Sequence, residues 1–452
     1  MSVAAPLELR PSDETPSRHR VLIVTSSYLP TMIADMHRAR HLAWELPKLG
    51  WDVEILAPDQ SYQPPSCIDD DSGAFFPAST RVTLVRAFLP RLFRRLGAGT
   101  IGWRAIVPMF FAGNKLLRDR IDIVYFSTTQ FSLFLLGPLW RLLFRVPYVL
   151  DFHDPCVKEG RARPEWMQNF SLKYALTRRV LQADEAVSTR RASALVSVSP
   201  GYVDLLSRRH AARRPEWTKP GRAAVIPFAA FDHDLAEAAS GHKPCAVTKP
   251  SIRVVYVGAG GPIMARAFAL FCKALASARA AAPDVVEGLR VELYGTVLGW
   301  EQRGGRKHLA EIAEGWNLGD IVQELPGRVS YRRSLELLLG ADGALIFGVD
   351  DAGYMPSKLF CYALSGKPLL AVIRRDGPAF PMFQGDLRLG EILWFDETNT
   401  IPPDAAASAV VRFLGECGRH RGVDRRSSID AFLAPAMARR HAELFEACLS
   451  NH

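Results

Sequence analysis

The chain has no Cys-x-x-Cys pair. Its seven cysteines stand at 67, 156, 245, 272, 361, 417 and 448, scattered and odd in number, which argues against a disulfide framework or a zinc site and fits a reducing compartment. Residues 1–20, MSVAAPLELRPSDETPSRHR, hold no apolar run of signal-peptide length. Export is therefore not expected, and residues 1–19 read as a disordered tail. Long hydrophobic runs are also missing. The most apolar windows, Phe131 to Val146 and Ile106 to Ala112, are short or interrupted by Arg141 and Arg145, below the roughly 20 residues a membrane-spanning helix takes, so no transmembrane span is expected. Short-period repeats are absent, and with them solenoid architectures.

One sign of charge is missing over a long stretch. From Ser72 to Arg118 there is no acidic residue, while Arg81, Arg86, Arg91, Arg94, Arg95, Arg104, Lys115 and Arg118 are all present in a chain of net charge +9. Such a stretch favours an anionic partner. Leu89, Leu92, Phe93 and Leu96 fall at helical spacing within it, with Arg91, Arg94 and Arg95 on the other side. That pattern fits a helix lying on an anionic membrane surface, and equally a core helix with a solvated basic face. Nucleic acid is not expected as the partner, because no aromatic-and-basic RNA motif accompanies the charge.

What is present is alternation. At 452 residues and 48% hydrophobic content, the chain suggests two domains of roughly 200 residues each. Val21 to Val24 is a continuous apolar run of the kind buried on both faces of a parallel sheet; a helix is predicted from Ala34 to Leu49, and Val53 to Leu56 is the next strand. Pro47 should kink or shorten that helix, and Gly50 ends it. Further strands are predicted at 83–88, 123–127, 148–152, 195–198 and 225–228. A second alternation has strands at 253–257, 291–294, 321–325, 344–347, 369–373 and 392–395, and helices at 263–280, 308–317, 331–339, 357–364 and 404–416. The expected class is α/β, two Rossmann-like doubly wound lobes facing across a cleft. They would span 20–231 and 251–426, joined by a polar linker at 232–250, with a last helical segment at 427–452 that suits either lobe.

Two segments of the second lobe suit an anion. Val254 to Val257 runs into Gly258-Ala259-Gly260-Gly261-Pro262 and then a helix, so backbone N–H groups gather at a helix start. A dinucleotide fingerprint is not met, since Ile263 takes the third glycine position and Gly295-Thr296 ends the next strand where an acidic residue belongs. In Pro356-Ser357-Lys358-Leu359-Phe360-Cys361-Tyr362-Ala363-Leu364-Ser365-Gly366-Lys367-Pro368 a proline opens a predicted helix after a buried strand, adding free N–H groups, the helix dipole and the Lys358 charge. In the first lobe His153, in Asp151-Phe152-His153-Asp154-Pro155, ends a buried strand at its carboxyl end, where it either faces the cleft, oriented by Asp154, or caps the strand. Asp151 reads as structural. His37 and His41 face together on one helix, but no further ligands can be named, so a surface helix is expected there rather than a metal site.

Taken in order, VLIVTSSYLPTMIADMHRARHLAWELPKLGWDVEILAP, DIVYFSTTQF, VPYVLDFHDP, ALVSVSPGY, AVIPF, VVYVGAGG, ADGALIF and PSKLFCYALSGKP resemble the succession of segments in family-four glycosyltransferases of the exopolysaccharide and capsule type. The resemblance implies a GT-B architecture with an acceptor-side first lobe and a donor-side second lobe. It implies retaining transfer of a sugar from a nucleoside-diphosphate sugar to a glycan or lipid-linked acceptor, with no metal and no cofactor. The expected location is the cytoplasm, peripheral on the inner face of the plasma membrane. By the same resemblance His153 contacts the transferred sugar, while Gly258, Gly260, Gly261, Arg266, Ser357, Lys358, Leu359 and Cys361 form the donor site. Active members usually carry two glutamates eight positions apart, one beside the sugar and one on the ribose; here those positions are Gly353 and Cys361. Asp350 and Asp351 are the acidic residues nearest to substitute. Ala259 stands where the family places an arginine, and Ile33-Ala34 where it places a glycine pair. These departures keep open a catalytically silent binding protein of the same fold, and an epimerase acting on the nucleotide sugar itself.

Overall fold

The computed structural model describes residues 18–31, 34–90, 99–157, 171–241, 252–297, 306–419 and 422–450. The basic helix expected around Arg91, Arg94 and Arg95, and the Ile33 position, lie outside them. Two parallel sheets organise the chain, in keeping with the expected class. In the first lobe β1 (His19–Val24), β2 (Trp51–Pro58), β3 (Arg81–Val85), β4 (Ile123–Ser127), β5 (Tyr148–Phe152), β6 (Ala194–Ser197) and β7 (Ala223–Val225) lie in the order β3-β2-β1-β4-β5-β6-β7. In the second, β8 (Arg253–Val257), β9 (Arg290–Tyr294), β10 (Val322–Leu325), β11 (Gly343–Phe347), β12 (Leu369–Arg374) and β13 (Glu391–Phe395) lie in the order β10-β9-β8-β11-β12-β13. Each order reverses next to the first strand of its lobe, and a ligand crevice forms at such a switch point, beyond the carboxyl ends of the strands.

Helices cover both faces of each sheet. Those that matter below are α1 (Ala34–Glu45), α2 (Ile101–Leu117), α3 (Leu136–Phe144), α4 (Ser171–Arg190), α5 (Pro200–His210), α6 (Asp232–Gly241), α7 (Ala265–Ala281), α8 (His308–Glu314), α9 (Tyr331–Leu339), α10 (Leu359–Leu364), α11 (Pro403–Gly418) and α12 (Ala434–Leu449). Pro47 acts as its chemistry requires: the α-helix stops at Glu45 and a 3-10 turn, Leu46–Leu49, follows, closed by Gly50 at φ +83°. A left-handed cap of this kind is nearly free for glycine and strained for other residues.

Several expectations differ from the structure. Residues 232–241, assigned to a linker, form α6, and Asp234 within it is buried. The last strand of the first sheet ends at Val225, not Phe228. The helix carrying His37 and His41 is largely buried rather than superficial: Met36, Arg38, Ala39, Arg40, His41, Leu42 and Ala43 are all inside. Its N-terminus is tied to the loop after β1, where the Ser26 and Ser27 hydroxyls donate to the Asp35 carboxylate at 2.6 and 3.2 Å. The stretch Gly261–Ala281 is long and apolar enough by composition to cross a membrane. It packs into the second lobe's core, where Phe268, Phe271, Cys272 and Leu275 lie against β11, β12 and α11.

The chain does not end in the lobe it has just built. Helix α12 returns to the first lobe, and its Met437, Ala438, Ala442, Leu444, Phe445 and Cys448 complete the core formed by Val21, Ile23, Leu42 and Trp51. His441 contacts Tyr125 there, 3.0 Å from its hydroxyl.

Candidate active site in the interlobe cleft

A cavity of about 320 Å³ lies between the lobes, lined by residues of both. The second lobe contributes Tyr256, Gly258, Gly295, Arg328, Tyr331, Tyr354, Ser357, Lys358 and Cys361; α1 contributes His37 and His41, and Phe228 stands beside them. One hydroxyl sets the spacing of the two predicted anion segments. Tyr362 Oη on α10 accepts from the Val257 N–H at 3.0 Å and donates to the Val257 carbonyl at 3.1 Å, clamping the helix against the end of β8.

That clamp lays Lys358 across Gly258. A Cβ at Gly258 would coincide with the Lys358 ammonium, and Gly258 itself adopts φ +147°. Glycine is therefore required there twice, for space and for backbone conformation. The ammonium sits 5.2 Å above the Tyr256 ring and has no acidic partner among the described residues. Burial, assisted by the nearby Arg328 cation, pushes Lys358 down to about 8. Two positive side chains thus face a largely apolar cavity, and that arrangement suits an anion more than a neutral ligand.

The other residues expected at the donor site are placed less evenly. Ser357 lines the cavity. Leu359 opens α10, two residues later than expected, and is fully buried. Gly260 packs on Met264, where a Cβ would overlap that side chain, and Gly261 at φ +46° starts the short turn into α7. Arg266 is turned elsewhere. It pairs with Asp350 at 3.1 Å, lies over the Phe395 ring and donates to the Glu397 carbonyl, so it is not among the cavity-lining residues. Asp350 is engaged on its other side by Arg374 at 2.6 Å, and Asp351 accepts from the Gly353 N–H at 2.9 Å. Asp350 is thus committed to α7 and the end of β12, and Asp351 to its own loop.

Gly353 and Cys361 have distinct surroundings. A side chain at 353 would run into the ring of Tyr202 from α5 of the opposite lobe, and the Tyr202 hydroxyl is hydrogen-bonded to Asp154. Cys361 faces a buried polar knot. In it Arg40 donates to both oxygens of Asp234 at 2.6 Å, Tyr331 donates to Asp234 at 2.7 Å, and His41 and His37 ring nitrogens lie 2.9 and 3.1 Å from the same guanidinium. Burial and the Arg40 charge lower His41 to about 4 and depress His37 as well. The ring nitrogens of both histidines are thus engaged with Arg40, that of His41 with Asp234 as well, and among the described residues no group of three metal-ligating side chains comes together.

His153 lies one layer behind the cavity wall. Its Nε2 donates to Asp151 at 2.6 Å and its ring meets the edge of Phe228 at 4.9 Å, while Nδ1 is buried without a hydrogen bond. Asp151, not Asp154, orients it. Burial pushes the Asp151 carboxyl up, but Arg38, 2.8 Å away, and His153 outweigh that and hold it well below the ordinary range. Sequence reasoning missed Asp234, Tyr331, Arg328 and Tyr202. Ser330, whose hydroxyl accepts from the Arg333 N–H and caps α9, was a local sign of the helix that Tyr331 opens, but nothing local points Tyr331 toward Asp234, 97 residues away.

A family profile described as a glycosyl transferase 4-like domain matches residues 37–229. Among solved structures, sucrose-phosphate synthase from Thermosynechococcus elongatus is similar over 96% of this chain and all of its own, with TM-score 0.59 at 15% identity. Anabaena HepE in complex with UDP and glucose is similar over 95% of this chain and all of its own, with TM-score 0.57 at 13% identity. WaaG, a glycosyltransferase involved in lipopolysaccharide biosynthesis, is similar over 94% of this chain and 99% of its own, with TM-score 0.53 at 12% identity. Curated protein sequences give no match.

Proposed function

We propose that the protein transfers a sugar from a nucleoside-diphosphate donor to a glycan or lipid-linked acceptor, in the synthesis of a cell-surface polysaccharide; the match of residues 37–229 to a glycosyl transferase 4-like profile and the two-lobed GT-B fold support this. The observation that carries the reading is the Lys358 ammonium, buried against Gly258 without an acidic partner among the described residues. A diphosphate satisfies it. Charge that develops on a departing diphosphate is stabilised by a cation already fixed in a dry site, at no cost of reorganisation during the reaction. The Ser357 segment lines the same cavity, whereas the Gly258 and Gly260 N–H groups already donate to the Tyr294 and Thr296 carbonyls at 2.8 and 3.3 Å; His153, fixed by Asp151, stands behind Phe228 at the cavity wall. The similarity to Anabaena HepE bound to UDP supports a nucleotide of that class.

Isothermal titration with UDP, GDP and their sugars tests this. Binding by one of them should fall at least about 10-fold in Lys358→Met, the scale of one buried charge-assisted contact. The sign of the pH dependence follows from a depressed amine: the ammonium is present below about 8 and lost above it. Affinity should therefore be flat from pH 6 to 7 and fall as pH rises through 8 to 9. No binding by any nucleotide, together with no sugar transfer, removes the proposal.

A second reading is favoured by Gly353 and Cys361, where neither carboxylate stands and Tyr202 fills the space of the first. In that reading the fold binds a nucleotide sugar or a partner enzyme without catalysing transfer. Tight donor binding without donor hydrolysis or transfer, across a panel of acceptors, selects it over the first.

A further inference from the structure

The cavity between the lobes is rich in positive charge and poor in acceptors. Lys358 and Arg328 both line it, yet among the described residues no aspartate, glutamate, asparagine or glutamine does. The carboxylate behind Cys361, that of Asp234, has its oxygens taken: Arg40 donates to each at 2.6 Å, the Tyr331 hydroxyl donates at 2.7 Å and a His41 ring nitrogen lies at 3.4 Å. The hydroxyls of the wall are neutral and already in use. Tyr256 donates to the Ala259 carbonyl at 3.0 Å, Ser334 donates to the Tyr331 carbonyl at 2.6 Å, and Tyr362 is held on both sides by Val257. A ligand therefore meets cations at one end and, elsewhere, no charged group to receive its own O–H protons.

Cys361 occupies the point where such a group matters most. It lies one helical turn beyond Lys358 on α10, so the two project from the same face, and it packs in the same cluster as Leu335 and Tyr331 of α9. Burial, with the Asp234 charge behind it, pushes the thiol up to about 12. It stays protonated, a weak donor and a weak acceptor. In a nucleoside-diphosphate sugar the pentose links the base to the phosphates. With the diphosphate on Lys358 and the base against Val329, Leu335 and Leu338, the apolar part of the wall, the pentose lies on the thiol. A ribose brings two neighbouring hydroxyls there, a pair of donors best met by the two oxygens of one carboxylate. A hydroxyl buried without an acceptor binds worse than the same pentose lacking it, whereas a methylene suits sulfur and leucine.

We infer, resting on the reading of this cavity as a donor site, that it selects a 2′-deoxyribonucleoside-diphosphate sugar over its ribonucleoside counterpart, and that Cys361 is the residue that sets the choice. Selection acts on the pentose alone, so it holds for whichever base the apolar wall accepts.

Isothermal titration of the full-length protein with matched pairs tests it: dUDP and UDP, dGDP and GDP, dADP and ADP, dCDP and CDP. The members of each pair differ by one hydroxyl. In whichever pair binds, the deoxy member should bind about 10-fold tighter, the scale of one hydroxyl buried without an acceptor. Cys361→Ser supplies an accepting oxygen in nearly the same volume and should narrow the difference to about threefold or less. Cys361→Glu supplies both oxygens of a carboxylate and should reverse it. Circular dichroism melting checks the fold of each variant, and the serine variant decides the matter alone if the glutamate variant does not fold. A ribonucleotide that binds as tightly as its deoxy partner overturns the inference and leaves the donor reading in place. So does a deoxy preference that the folded variants keep unchanged, since Cys361 then does not set it. No binding by any pair removes the donor reading and this inference together.

Discussion

Gly353 is defined by what stands opposite it. The ring of Tyr202 fills the space a side chain would take, so Gly353→Glu forces either the ring or the loop to move. Overpacking of this kind costs about 1–3 kcal/mol, to be read from the denaturation midpoint. Tyr202→Ala vacates the same space, and the double variant should recover part of the loss, with a coupling of about 1 kcal/mol or more in a double-mutant cycle. Strict additivity would show that the two residues do not share that space. Such a swap also bears on chemistry, because Asp154 loses its tyrosine partner when a carboxylate returns at 353. The identity of residue 353 was readable from the sequence. Its neighbour was not, since the two positions lie on different lobes and no local pattern relates them.

At the scale of elements, α6 is the piece the sequence disguised. Its composition is polar and rich in alanine, which reads as linker, yet Asp234 within it joins α1 to α9 through Arg40 and the Tyr331 hydroxyl. Burial works against the Asp234 charge, but the Arg40 guanidinium outweighs it and holds the carboxyl far below its ordinary range. A group depressed in the folded state stabilises above its unfolded value, near 4, and loses that contribution as pH falls. Asp234→Asn should destabilise by about 3–5 kcal/mol at pH 7, because Arg40 is left buried and unpaired. Arg40→Met combined with Asp234→Leu should cost less than that single change. Urea denaturation of the three variants distinguishes a buried pair that stabilises from one that merely cannot be broken on one side. The Asp69 carboxylate, accepting from the Tyr331 N–H at 2.6 Å, is a second tie from the first lobe to the same helix.

For the whole molecule, the decisive element is α12. It leaves the second lobe and completes the core of the first, so the two lobes are not independent along the chain even though each has its own sheet. Ending the chain at Leu433 should expose Leu42, Trp51 and Ile23 and abolish cooperative unfolding of the first lobe. The second lobe's main core receives nothing from α12 and should retain a transition in differential scanning calorimetry. Two surviving transitions would mean that the first lobe closes without its last helix.

The order of strands along the chain, their parallel arrangement and the placement of Gly258 and Lys358 at element ends facing the cleft were determined by the sequence itself. These are local matters: apolar runs of strand length, proline and glycine at element ends, and backbone conformations few residues adopt. Which lobe takes the last helix, why Asp234 is buried, how Tyr202 meets Gly353 and where Arg266 points were decided only by tertiary structure. Each depends on a contact between residues far apart in the chain, and the free energy of such a contact is set by what surrounds it, which no short stretch of sequence encodes.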